Sequence, residues 1–213
     1  FIRQERTIST RATPDRQDTN GIGDVVILPK YSLSKGWLIG VGVKLSTGKA
    51  NFLSNRAIAL PADLQPGSGA TDALFFTSYQ RYSEERPSLS YFGNAIFRIT
   101  GTNTNYFAGS SYRFGSELQM ALGIADRFFL FGQLIDPSLG ISYRKRGTDF
   151  FDSEQFPASG GTFLFINPGV SIPLTTKISW QVNTSIPIYT FVQDTQLAPT
   201  IQVNTGISFK KTL

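Results

Sequence analysis

Nine charged residues fall on one phase of alternating, strand-like runs: Asp24, Lys30, Lys44, Arg98, Arg113, Glu117, Asp136, Arg144 and Lys210. Successive strand residues point to opposite faces, so these nine are expected to share one side of a sheet. Six are basic and three acidic. Charges gathered inside a rolled sheet have two uses. They line a water-filled path, here with a bias toward anions, or they pair with one another as a salt-bridged polar core. Catalysis is poorly served, because the chain contains neither histidine nor cysteine. That removes imidazole bases, thiolate nucleophiles, serine–histidine triads and the usual zinc sites. Asp149, Asp152 and Glu154 lie close together on one charged stretch, which reads as solvation; their spacing is not that of a calcium loop. The chain is therefore read as non-enzymatic, without cofactor or metal.

A second group is apolar where polar residues are the rule. Phe150, Phe151, Phe156 and Phe163 sit in and at the root of a charged segment spanning 145–160. They fold over an opening as a gate, pack against a partner, or pack on their own loop.

The elements that position these groups follow from composition. Only 16% of the 213 residues are charged, against roughly 25% in an average soluble domain. Phe, Tyr and Trp number 18, 8 and 2, and there are 20 glycines. So much apolar material excludes a disordered chain. The net charge of +5 is dispersed, and its longest basic run is Arg144-Lys145-Arg146, too short a patch for nucleic acid. Lack of cysteine is compatible with an oxidising or cell-surface location. No apolar stretch approaches the roughly 20 residues of a membrane helix.

What recurs is a period of two. Trp37, Ile39, Val41, Val43 and Leu45 alternate with smaller residues, and similar runs cover 24–33, 73–82, 91–99, 106–122, 129–144, 163–172, 178–188 and 201–210. With a less regular segment at 1–9, ten strands are expected. The run from Tyr106 to Leu122 reads as one strand of seventeen residues. Connections alternate in length: 10–23, 48–70, 102–105, 145–160 and 190–199 on one side, 34–36, 87–90, 123–126 and 173–176 on the other. Long strands with long loops at one end and short turns at the other describe a transmembrane antiparallel up-and-down β-barrel. The chain opens on Phe1 rather than Met, so a preceding segment is expected, and with it a count of up to twelve strands. On this reading 1–213 is a single outer-membrane domain with loops 48–70 and 145–160 extracellular and the C-terminus periplasmic. Its partners are outer-membrane lipid, lipopolysaccharide and other outer-membrane proteins.

The stretch Asn20-Gly21-Ile22-Gly23-Asp24, then Lys30-Tyr31, Gly40-Val41-Gly42-Val43-Lys44-Leu45-Ser46-Thr47-Gly48-Lys49, Leu60-Pro61 and Gln65-Pro66-Gly67-Ser68-Gly69-Ala70-Thr71-Asp72 resembles bacterial outer-membrane proteins of the phenol meta-degradation type, a porin-like transporter family. The resemblance covers residues 20–82 and departs at Ser46, where the family usually carries proline. It implies a membrane barrel that passes small, hydrophobic or aromatic molecules. The competing function is an accessory barrel, plugged by its inward charges, within a larger outer-membrane complex.

Overall fold

The computed structural model describes residues 2–9, 14–53, 60–130 and 132–209, with side chains from Thr19 onward. Seventeen strands form three sheets. A hairpin of β1 (Ile2–Ser9) and β2 (Pro14–Gly21) stands as one sheet. The main sheet is antiparallel throughout. It contains β3 (Val25–Ile27), β4 (Lys30–Ser34), β5 (Trp37–Leu45), β6 (Asp72–Tyr82), β7 (Ser90–Ile99), β10 (Glu117–Ala125), β11 (Phe128–Leu130), β12 (Gln133–Arg146), β15 (Gly161–Pro173), β16 (Ile178–Phe191) and β17 (Gln202–Phe209). A smaller sheet takes β8 (Asn103–Phe107), β9 (Ser110–Arg113), β13 (Asp149–Phe151) and β14 (Glu154–Phe156).

The main sheet runs in the order β17-β16-β15-β12-β10-β7-β6-β5-β3, with β4 also on β5 and β11 on β12. Neither outer edge, β17 or β3 with β4, pairs with a further strand among the described residues. The expected closed barrel is therefore corrected to an open sheet. Closure was the premise for placing the chain in the outer membrane, and for transport or a plugged accessory barrel; those readings fall with it. No helix among the described residues is long and apolar enough to cross a membrane.

The sheet is nonetheless curled. Val26 of β3 and Gln119 of β10 line one cavity, and Asn94 of β7 and Gln202 of β17 line another. Laid flat, these pairs would stand roughly 20–25 Å apart at the usual strand spacing. Curling gives the sheet a polar concave face and an apolar outer one.

Period two is a statement about one strand at a time, and three segments show the consequence. The run at 106–122 is not one strand. Ala108 and Gly109 both adopt positive φ, 50° and 84°, and fold β8 back on β9 before β10 begins at Glu117. The 145–160 connection is not a loop: Asp152 and Ser153, φ 48° and 71°, turn β13 into β14. The 24–33 run breaks at Leu28-Pro29, since proline has no amide hydrogen to offer the ladder. Similarly, 14–21 of the expected 10–23 loop is β2. Phe1 and Lys210 lie outside the described residues.

Apolar burial is slight. Leu60, Ala62, Ala70, Leu74 and Phe165 are the buried apolar residues described, whereas Val41, Phe75, Phe97, Leu122 and Ile141 are exposed on the outer face.

Candidate functional site

The polar face is organised around Glu117. It opens β10 and stands in register with Arg98 on β7 and with Arg146 on β12, two residues beyond Arg144. Residues i and i+2 share a face, so Arg144 and Arg146 stand on the same side of the sheet as Glu117, and Arg98 and Arg144 pair with it. Arg98 Nη2 lies 3.1 Å from Glu117 Oε2, and Arg144 Nε 2.5 Å from Oε1. Gln119 Nε2 donates to Oε1 at 2.7 Å. Burial pushes the Glu117 carboxyl up, but the Arg144 charge and hydrogen bond, the Gln119 amide and the Arg98 charge outweigh it and hold the group below its ordinary value.

A second centre lies beside the first. Lys44 is the last-but-one residue of β5 and Asp72 opens β6, so the two flank the 46–71 excursion in register. Lys44 Nζ is 2.7 Å from Asp24 Oδ2 and 3.2 Å from Asp72 Oδ2. It also donates to the Ala70 carbonyl at 3.0 Å and to Ser68 Oγ. Asp24 in turn accepts from the amides of Gly48 and Ser68 at 3.0 and 2.9 Å. Burial raises its pKa; the Lys44 bond, with those from Ser68 and Gly48, brings it below its ordinary value. Arg98 Nε stands 4.0 Å from Asp72 Oδ2, which joins the two centres. Asp24, Lys44, Asp72, Arg98, Glu117 and Arg144 thus alternate in sign across the polar face.

The long excursion folds down over this network rather than away from it. Gln65 accepts from the Phe52 amide at 2.9 Å and donates to the Phe52 and Leu60 carbonyls, both at 3.1 Å. Tyr106 of β8 donates to the Leu60 carbonyl at 2.8 Å. Gly48 and Gly67 cross so closely that a Cβ on either would fall under 3.0 Å from the other's backbone. The space between excursion and sheet is a cavity of about 560 Å³, walled by Pro66 and Ser68 on one side and by Arg98, Glu117 and Arg144 on the other.

Arg146 links the network to the small sheet. Its Nη2 bonds both Asp149 oxygens, at 2.9 and 2.8 Å. Asp149 also accepts from Tyr112 Oη at 2.7 Å and from the Gly115 amide at 2.8 Å. Burial, then the Asp149 hydrogen bond and charge, push the Tyr112 hydroxyl far above its ordinary range.

Of the nine phased charges, the structure brings Asp24, Lys44, Arg98, Glu117 and Arg144 together. Lys30 stands apart, 4.3 Å over the Phe76 ring. Asp136 pairs with Arg127 at 2.7 Å toward the other end of β12. Arg113 belongs to the small sheet and lies 4.3 Å over Phe150. Phe150 and Phe151 pair with β9 through β13, Phe156 ends β14 at 6.4 Å from Tyr112, and Phe163 sits on β15 beside Phe165. With no closed ring of strands among the described residues, these phenylalanines have no barrel mouth to gate.

Sequence reasoning missed Asp72 and assigned no pairing to Arg146 or Asp149, the latter read as solvation. Asp72 fell at the end of the long excursion, where only cross-strand register shows its Lys44 partner, and the local Arg146–Asp149 pair lay in what was read as a loop. The one legible signal was symmetry, because Lys44 and Asp72 bracket the long excursion. No protein-family model matches the chain, and no curated protein matches it. The resemblance drawn over residues 20–82 is thereby corrected: it has no family behind it.

Proposed function

We propose that this chain is a non-catalytic interaction protein whose apolar sheet face is covered by lipid hydrocarbon. The observation that carries this reading is a cross-strand row on the outer face: Trp37, Tyr79, Gly93, Leu122, Ile141, Ile166 and Ile186 stand side by side through seven strands. Parallel rows hold Ile39, Met120, Tyr143 and Leu164, and Tyr91, Ile124 and Leu139. At normal strand spacing and rise the patch measures roughly 35 by 20 Å, on the order of 700 Å². The largest apolar patch of a typical monomer is about 300–600 Å², and larger ones mark interaction surfaces.

Three details favour hydrocarbon over a protein partner. Both indole N–H groups are already satisfied, Trp37 by Thr77 Oγ1 at 2.8 Å and Trp180 by Thr205 Oγ1 at 2.9 Å, so the rings meet lipid without an unpaired donor. Arg81, in register with Tyr91, and Lys145, one row beyond Tyr143, stand toward opposite strand ends and leave the middle apolar. The sheet edges that have no partner strand among the described residues need water, which suits a face lying on lipid with its edges hydrated.

Flotation with phosphatidylcholine vesicles tests the reading, with Leu122→Glu/Ile141→Glu as the paired variant. The wild type is expected to float and the variant to stay in the dense fraction, with or without lipopolysaccharide in the vesicles. A wild type that stays below the vesicles and is monodisperse without detergent overturns it. So does one that instead forms a discrete dimer in buffer.

A further inference from the structure

The ion network has an asymmetry that pairing alone does not require. Its carboxylates are at the bottom: Asp72, Glu117 and Asp149 are 4–5% exposed. Its guanidinium groups are on top, with Arg98, Arg144 and Arg146 at 31%, 45% and 25%. All three line the cavity of about 560 Å³ beneath the long excursion. The lysine of the network, Lys44, is spent on Asp24 and Asp72. One exposed carboxylate, Asp63, borders the same space. A solute entering therefore meets an excess of positive charge, although the network as a whole is balanced.

Donor capacity is also left over. A guanidinium carries five N–H groups. Among the described residues Arg144 bonds only through Nε, to Glu117 Oε1, and the rest of its half-exposed fork is left for a solute. Glu117 Oε1 is shared between Arg144 and Gln119, so the carboxylates are more nearly saturated than the arginines. Planar forks with spare donors are suited to carboxylate and phosphate oxygens, which they engage two at a time.

We propose that the cavity between Arg98, Arg144 and Arg146 binds a small dianionic oxyanion, a dicarboxylate or a phosphate group. This site lies on the face opposite the lipid-covered one and does not depend on it. Arg144 is the recognition group, because it is the most exposed of the three and Glu117 keeps Arg98 and Gln119 when it is removed.

Isothermal titration of the full chain with succinate and with inorganic phosphate decides the matter. Binding of at least one probe is expected, weakening as sodium chloride is raised. Arg144→Gln is expected to lower the thermal midpoint modestly, since Glu117 keeps Arg98 and Gln119, and to weaken binding ten-fold or more at a temperature where the variant is fully folded; Arg144→Lys is expected to weaken it less. Arg127→Gln, which removes an arginine from the distant Asp136 pair, is expected to leave binding unchanged. No heat from either probe at 10 mM refutes the proposal, as does equal binding by wild type and Arg144→Gln. If phosphate alone binds, the site is a phosphate site; if succinate alone, a dicarboxylate site. Either outcome supports it.

Discussion

Replacing Lys44 by methionine removes one charge from the centre of the network while keeping the aliphatic stem. It leaves Asp24 and Asp72, 7% and 4% exposed, facing each other without the cation between them. Breaking a buried pair by deleting one partner costs roughly 3–5 kcal/mol, most of it the charge left behind. Here the carboxylates retain other donors: the Gly48 and Ser68 amides for Asp24, and the Gly101 amide for Asp72. That places the expected loss at the lower end, about 3 kcal/mol. With a urea slope of about 2 kcal/mol per M, the midpoint moves by about 1–2 M. Unfolding followed through Trp37 and Trp180 fluorescence reads it directly. The double variant Lys44→Met/Asp72→Asn is expected to recover part of the loss, because the second change removes an orphaned charge. A single-variant loss below about 1 kcal/mol would refute the view that this lysine ties the excursion to the sheet.

Acid gives the same variant a second signature. In the wild type Asp24 titrates below its unfolded value of 3.8, because the Lys44, Ser68 and Gly48 bonds together outweigh the upward push of burial. A carboxyl depressed in the folded state contributes stability above the unfolded value, and the contribution is lost as pH falls through the folded one. Without Lys44 burial is opposed only by Ser68 and Gly48, so the folded value rises and the wild-type advantage shrinks as pH falls from about 7 toward 4. A gap between the two proteins that holds constant over that range contradicts the assignment.

Two further substitutions probe the walls of the site. Gly67→Ala forces a Cβ into the backbone of Gly48, and the strain of overpacking is expected to cost about 1–3 kcal/mol and to weaken oxyanion binding by displacing Ser68, as a urea series with parallel titration would show. Tyr112→Phe deletes a hydrogen bond to an ionised carboxylate, with an expected cost of about 1.5–3 kcal/mol in thermal or urea unfolding. In a spectrophotometric alkaline titration of the wild type, Tyr112 is expected to stay protonated until the chain unfolds, since its hydroxyl is pushed far above the ordinary range.

How much of this was legible in the sequence depends on the range of the interaction. Alternation is set by the backbone repeat within one strand, so β5, β15, β16 and β17 could be read locally. The same repeat runs on undisturbed through Ala108-Gly109, where the chain reverses and joins a different sheet, which is why 106–122 looked like one strand. Closure is a pairing between the first and last strands, and no local period reports it. The site divides along the same line. Phase put Lys44, Arg98, Glu117 and Arg144 on one side, but the register that sets Glu117 beside Arg98 and Arg146 is a property of three strands together. Asp72 escaped notice because it stands at the end of the long excursion, and Asp149 was read as solvation because its segment was taken for a loop rather than for β13.

The two faces of the main sheet therefore answer to different forces, and this makes their roles experimentally separable. The described part of the fold buries few apolar side chains, so its cohesion rests on the strand ladders and on the polar network that pins the long excursion. Changes at Lys44 or Asp72 act on the folded state itself, since each leaves a buried partner unmatched. Changes at Leu122 or Ile141 remove apolar surface that the isolated chain leaves in water, and polar replacements there relieve exposure rather than create a cavity. Stability in aqueous buffer is thus expected to follow the polar face, and lipid partitioning the apolar one. A variant set in which both quantities moved together at Leu122 and Ile141 would mean that the outer face packs against this chain's own residues instead.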